Sequence, residues 1–431
     1  MTRAAPHKLG LLSLVAATYM MVAGGPFGLE DIVQHAGYHG SIIILLVTPL
    51  IWSLPTALMV SELSSAIPEE GGFYVWVRRG LGPFWGFQEA WLTLVASVFE
   101  MAIYPTLFVA YLDRIAPSLT AGNGAVLIGL GLVALCTAWN ILGARAVGDG
   151  SIILTAALLV PFGFMIAYAL SQPEAPTQTA TFVPARDLIG GILIAMWNYM
   201  GWDNVSTVAG EVRDPRRTYP RAMMLAVLLV IITYLMPVAA VARTDVDFAL
   251  WDTGGWVDIA RALGGPVLAL AIAVAGALGA VGTFNALMLS FSRLPSAMSR
   301  DGFLPAVFAR RHPRTDAPWV SIAALALCWA ACLQLGFERL IILNVLLTGL
   351  SVVLEFWALV GLRLREPNLP RPYRVPGGLW VAVAIGLPPL GLILLSIART
   401  YQEEAGPIGA LTLAIALIAA GPALYFMRRH A

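Results

Sequence analysis

Twelve runs of about 20 predominantly apolar residues follow one another along a chain of 431 residues. No other feature limits the fold as strongly. As a helix, a run of that length matches the hydrocarbon thickness of a bilayer. In lipid, every backbone N–H and C=O must find its partner inside the segment. The pattern predicts an all-α membrane protein with spans near 9–36, 40–66, 83–112, 123–142, 149–171, 187–211, 219–242, 265–292, 317–336, 339–363, 378–398 and 406–427. The first span follows Arg3 and Lys8. It reads as retained, because no small-residue cleavage site leads into a soluble domain. Composition agrees: 12% of residues are charged, against about 25% in a soluble domain. A net charge of +1 gives no reason to expect a nucleic-acid partner. Cys136, Cys328 and Cys332 lie in apolar runs without metal-ligand spacing and read as buried thiols.

Orientation follows from the basic residues. With the N-terminus in the cytoplasm and the spans alternating, twenty of the 26 Lys and Arg fall inside. Only Arg114, Arg186, Arg243, Arg261, Arg339 and Arg399 fall outside. That excess predicts cytoplasmic N- and C-termini.

The first span contains its own interruption, Val22-Ala23-Gly24-Gly25-Pro26-Phe27-Gly28-Leu29-Glu30-Asp31. Pro26 lacks an amide proton and clashes with the carbonyl one turn back; paired glycines lower helix propensity further. Broken backbone at membrane depth is tolerated where it lines a buried or watery cavity, so this stretch predicts a ligand site. The second interruption is expected in span 6. There Asn198, Asp203, Asn204 and Ser206 surround Gly201 and follow Trp197 and Trp202. Spans 1 and 6 correspond if the first ten spans are two inverted halves of five, and paired broken helices at matching positions point to a transporter site.

Acids inside spans cost roughly 2.5–3.5 kcal/mol each on insertion scales and need a reason. Glu30 and Asp31 follow the first break, Glu100 sits mid-span 3 with Tyr104 one turn on, Asp203 lies in span 6 and Glu355 in span 10. Glu62 and Glu211 are expected near cytoplasmic ends, solvated or bonded to backbone, and Glu89 at the interface. No lysine or arginine is expected deep in any span to pair with them.

Several stretches carry a family resemblance. Ser61-Glu62-Leu63, Pro68-Glu69-Glu70-Gly71-Gly72-Phe73-Tyr74-Val75-Trp76 and Gly82-Pro83-Phe84-Trp85-Gly86-Phe87 resemble the loop between spans 2 and 3 of the amino acid–polyamine–organocation transporters. Glu211-Val212-Arg213-Asp214-Pro215, Ser299-Arg300-Asp301-Gly302-Phe303-Leu304-Pro305 and Arg371-Pro372-Tyr373-Arg374-Val375-Pro376-Gly377-Gly378 are similar to that family's later signatures. Within it, the chain is most similar to the polyamine–proton symporters and the L-type amino acid transporter-like branch. The resemblance implies a LeuT-type five-plus-five inverted repeat with twelve transmembrane helices. It implies a transport core over 1–398, and span 12 with a short tail over 399–431. It also implies that Gly24, Gly25, Pro26, Phe27 and Gly28 border the substrate, that Trp197 gates it, and that Asp203 senses protons. Asn285 stands where polyamine-carrying relatives have an acid.

Together these readings predict a secondary active transporter of the plasma membrane, moving a small cationic or zwitterionic substrate by alternating access. Gly24, Gly25, Pro26, Phe27, Gly28, Glu30, Glu100, Tyr104, Trp197, Trp202, Asp203, Asn285 and Glu355 are the expected substrate contacts. Asp203 and Glu100 are expected to exchange the coupling proton, with sodium as the alternative ion. Polyamines rank first and amino acids second. A transporter-like receptor is a remote third reading. A channel would need a continuous pore with charge rings. An enzyme would need a nucleophile, phosphate loop or metal cluster, none of which is legible, and no cofactor is implied.

Overall fold

Glycine and proline punctuate a chain that is otherwise helix-forming, and the elements follow them. The computed structural model describes residues 9–69, 71–142, 147–173, 187–335, 337–402 and 409–429. Helix α1 (Leu11–Val22) stops before Gly24, and α2 (Glu30–Thr48) resumes after Leu29. A π-helical turn, Pro49–Ser53, leads into α3 (Leu54–Ala66). Next come α4 (Gly72–Leu81), α5 (Pro83–Asp113), the single turn α6 (Pro117–Thr120), α7 (Gly124–Leu142) and α8 (Val147–Ser171). Helix α9 (Leu188–Asn198) breaks off and is followed by a 3₁₀ segment, Asn204–Glu211. The chain closes with α10 (Pro215–Val241), α11 (Trp256–Arg300), α12 (Trp319–Ala331), α13 (Phe337–Arg365), α14 (Gly378–Ala384), α15 (Leu387–Gln402) and α16 (Ala410–Arg429). The one β pairing among the described residues is an isolated parallel bridge between Leu9 and Val212.

Nine helical stretches among the described residues are long and apolar enough to cross a bilayer. Three apolar helices, Leu11–Val22, Leu188–Asn198 and Trp319–Ala331, are shorter. Each of the twelve predicted runs thus contains helix. The surface is inverted relative to a water-soluble domain. Ile153, Val267 and Leu327 are 74%, 79% and 75% exposed, while Glu30, Glu62, Glu89 and Glu355 are wholly buried. Lipid as solvent demands that arrangement.

The structure corrects several expectations. The stretch read as a loop after span 2 contains α4, whose Phe73, Tyr74 and Trp76 are buried. Gly71 at φ 102° and Gly82 at φ 109° bound it, and Pro83 then opens α5. Span 8 starts earlier than 265, in α11, where Gly265 (φ 78°) kinks the helix without ending it. The span-11 stretch is divided between α14 and α15, where Pro388 and Pro389 supply no amide for a continuous ladder. Cys328 is exposed, because α12 packs at the periphery and turns Leu327 and Cys328 outward; Cys136 is buried.

Glu62 is neither solvated nor bonded to backbone alone. Its Oε1 accepts from Arg363 Nε at 2.9 Å, Arg371 Nε lies 3.3 Å away, and its Oε2 accepts from the Val375 amide at 2.7 Å. Arg363 is therefore a buried base in the last turn of α13, at the end of span 10. Two of the stretches that carried the resemblance, Ser61-Glu62-Leu63 and Arg371 to Gly378, meet here. Two others meet where Tyr74 and Arg78 both bond the Asp301 carboxylate. The Arg213 amide donates to the Leu9 carbonyl at 2.9 Å, tying the span-6 segment to the start of α1; the Glu211 side chain lies outside the described residues.

Candidate functional site

Both broken helices free backbone groups, and the two breaks lie side by side. Asn198 Nδ2 approaches the Gly28 carbonyl at 3.5 Å. The Tyr234 hydroxyl of α10 sits between them, 2.9 Å from the Asn198 carbonyl and 3.4 Å from that of Ala23. One phenol thus serves the orphaned carbonyls of α9 and α1, as helix ends require. Close approach explains the glycines. A Cβ on Gly24 (φ 57°) would stand 2.2 Å from Thr283 Oγ1, and one on Gly201 (φ 92°) 2.8 Å from the Met21 carbonyl.

Beside the breaks lies a narrow cavity, walled by Gly24, Phe27, Glu100, Tyr104, Tyr111 and Trp197 among others. A second, smaller space is lined by Thr93, Glu100, Asp203, Asn204 and Thr348 together with Met200, Gly201 and Phe291. Glu100 and Met200 border both. The Glu100 carboxylate is held loosely, accepting from Tyr104 Oη at 3.5 Å and from Asn344 Nδ2 at 3.3 Å. Asp203 lies within electrostatic reach of Glu100. Trp197 stacks edge-on against Phe337 at 5.6 Å and faces Tyr104 at 6.4 Å; a Cβ on Gly28 would meet its indole at 2.9 Å.

The expected contacts therefore divide. Gly24, Phe27, Glu100, Tyr104 and Trp197 border the larger cavity, and Asp203 borders the smaller. Gly25 and Gly28 shape the break, and the Pro26 carbonyl accepts from Trp256 Nε1 at 2.7 Å. Glu30 stands behind the wall. It opens α2 and takes the hydroxyl of Tyr111. Trp202 is fully buried and donates to the Tyr199 carbonyl at 2.8 Å. Asn285 accepts from Asn140 Nδ2 at 2.7 Å and borders neither space. Glu355 also borders neither, and it is wholly buried.

A model of the amino acid permease family matches residues 9–420. The chain belongs to that family. Among curated relatives, this permease is 36% identical over 425 residues to polyamine transporter PUT1 of Oryza sativa subsp. japonica, covering 98% of this chain and 79% of the relative. It is 35% identical over 401 residues to polyamine transporter RMV1 of Arabidopsis thaliana, covering 92% and 82%. A more distant relative is the serine/threonine exchanger SteT of Bacillus subtilis (strain 168), 26% identical over 336 residues and covering 76% of each chain.

Reasoning from sequence missed Glu89, Asn344, Thr348 and Ser351. Glu89 is not interfacial but wholly buried, and its Oε1 accepts from Thr93 Oγ1 at 2.9 Å and Ser351 Oγ at 3.2 Å. The signal was present in span 10, where Asn344, Thr348, Ser351 and Glu355 recur at helical spacing on one face of an apolar run.

Proposed function

We propose that this permease is a secondary active transporter of polyamines, coupled to protons and working by alternating access in the plasma membrane. One observation carries the reading. Glu100 borders both cavities, and a second buried acid, Asp203, lines the smaller one with it. An ammonium suits that place and a carboxylate does not. The relatives named polyamine transporters support the same substrate class. In this reading Gly24, Gly25, Pro26, Phe27 and Gly28 form the broken half of span 1 against the substrate. Glu100, Tyr104 and Asp203 meet its amines, and Glu100 with Asp203 passes the proton. Trp197 closes the outer side. Trp202, Asn285 and Glu30 hold the surrounding wall. The matched breaks in the first and sixth spans support a LeuT-type twelve-helix inverted repeat within a 1–398 core, followed by span 12 over 399–431. Amino acid transport is the second reading, favoured by the relative named a serine/threonine exchanger.

The test is uptake by purified protein in liposomes of labelled putrescine, spermidine, arginine and serine, with and without an inward proton gradient. Polyamine uptake that rises with the gradient is expected; uptake of serine alone would overturn the reading. Trp197→Ala should lower turnover more than equilibrium binding, since a gate acts on the closed intermediate. Transport at the parental rate would leave Trp197 a packing residue. For orientation, the charge asymmetry places Asp245 outside and Arg310 inside. An impermeant thiol reagent added to whole cells should label Asp245→Cys and spare Arg310→Cys; the opposite pattern reverses the topology.

A further inference from the structure

Helix α5 is a rail of polar groups. Glu89, Thr93, Ser97, Glu100, Tyr104 and Tyr111 recur at intervals of three, four or seven residues and so share one face. From Glu89 to Tyr111 the rail spans about 33 Å at 1.5 Å per residue, close to the hydrocarbon thickness. Its outer part borders the larger cavity and Thr93 borders the smaller, but Glu89 borders neither. Helix α13 runs antiparallel to it with the Asn344, Thr348, Ser351 and Glu355 stripe. Asn344 bonds Glu100 at 3.3 Å, while Ser351 bonds Thr93 at 2.9 Å and Glu89 at 3.2 Å. This polar seam continues past the cavities and ends at two acids.

Those acids are not accounted for by the protein around them. Glu89 and Glu355 are wholly buried and Asp203 nearly so. Glu89 Oε2, both Glu355 carboxyl oxygens and Asp203 Oδ1 have no hydrogen-bond donor among the described residues. Ser351, which bonds Glu89, lies one helical turn before Glu355, so the two acids share the seam, and a third buried acid, Asp203, lines the smaller cavity together with Thr93. The neighbouring elements bring their own ions, already engaged. Arg78 and Arg79 of α4 bond Asp301 and Glu366. Glu62 of α3 takes Arg363 and Arg371, and Asp258 of α11 takes Arg114. Burying bare carboxylates costs several kcal/mol apiece, so something positive must share them. Neither acid lines either of the two cavities that an alkylammonium could enter. Among the described residues no three His, Cys, Asp or Glu side chains are placed to hold a metal ion. The occupant that needs no volume is a proton.

We infer that Glu89 and Glu355 form a buried proton site at the end of the α5–α13 seam, separate from the substrate cavities and linked to them through Asp203. The pair shares a proton between Glu89 Oε2 and a Glu355 oxygen. In each transfer an O–H bond breaks on one carboxyl as one forms on the other, with no redox change. Thr93 and Ser351 hold Glu89 Oε1 and so aim Oε2. The inference rests on the transporter reading for its purpose, though not for its existence.

Infrared difference spectroscopy of the purified protein tests the site itself. A protonated-carboxyl band at neutral pH is expected, shifted in Glu89→Gln and in Glu355→Gln, where the remaining acid keeps the proton, and reduced in the double variant. Absence of the band in the parent, or its persistence unchanged in both variants, overturns the site. Transport tests its use. In liposomes, Glu89→Gln should lower the ratio of gradient-driven putrescine accumulation to putrescine exchange by about tenfold, within the range by which coupled sites influence each other. An unchanged ratio overturns the coupling role. If Glu89→Gln does not fold, Ser351→Ala removes one hydroxyl from Glu89 and should displace the pH profile of accumulation; a superimposable profile overturns it equally. A parent that moves neither polyamines nor amino acids defeats the functional reading, while the infrared result still decides the proton site.

Discussion

Arg363→Ala is expected to destabilise the permease by about 3–5 kcal/mol, the usual result of removing one partner from a buried ion pair. The side chains of Arg363 and Glu62 are 2% and 0% exposed, so little solvent screens them. Arg363 also donates to the Gly378 and Val375 carbonyls, so it joins α13 to α3 and to the segment preceding α14. Without it, Glu62 keeps Arg371 at 3.3 Å and the Val375 amide at 2.7 Å, while two carbonyls lose their donor. The measurement is the unfolding midpoint in detergent. Arg217→Ala is the control, since Arg217 is 80% exposed and lies 3.9 Å from Asp214, where no measurable change is expected. A midpoint for Arg363→Ala equal to that of the control would show that the triad is not a stabilising joint. The double variant Glu62→Gln/Arg363→Met should lose less than the sum of the singles, because the two residues contact each other directly and their losses are not independent.

That triad also shows where reading from sequence ends. Glu62 and Arg363 stand 301 residues apart. Local pattern gives no means to pair them, so Glu62 read as solvated or bonded to backbone and Arg363 as one more cytoplasmic base. The same limit hid Glu89, whose depth is set by packing of α5 against α13 and α4 rather than by its place near the start of a span. What was legible was local. Apolar length located each helix-bearing run, and Gly-Gly-Pro marked the break after Val22 by backbone chemistry alone. Gly201 with its polar neighbours marked the break in span 6 without a proline. Why Gly24 must be glycine was not legible, since the clash is with Thr283 on α11. Helix α4 was missed because glycines at both ends and aromatics between resemble a loop, although those aromatics are its buried face. The α13 stripe was fully legible, since Asn344, Thr348 and Ser351 lie at helical spacing from Glu355, but small polar residues in a span carry a weaker signal than a charge.

Glu100→Gln should reduce putrescine and spermidine uptake by about 30-fold or more. The estimate follows from the geometry. Glu100 is the carboxylate common to both cavities, and its two hydrogen bonds, at 3.5 Å and 3.3 Å, are long enough to leave it free to accept from a ligand. Removing the charge from one side of a buried ammonium–carboxylate pair costs about 2–5 kcal/mol, and each 1.4 kcal/mol is about a factor of ten in affinity. Glutamine keeps the shape and can still bond Tyr104 and Asn344, so folding should be spared. The argument also separates substrates. An amino acid's carboxylate would look for the bare amides at the start of α2, but Glu30 and Asp31 already occupy that first turn. If the proposed polyamine reading holds, a diamine would meet Glu100 at one end and Asp203 at the other, and Asp203→Asn should then weaken longer polyamines as well. Uptake and binding of putrescine, spermidine and arginine by Glu100→Gln, Asp203→Asn and the parent decide it. Parental affinity in both variants, or a parent that binds neutral amino acids alone, would remove the charge argument and leave amino acid transport as the better account of the same cavities.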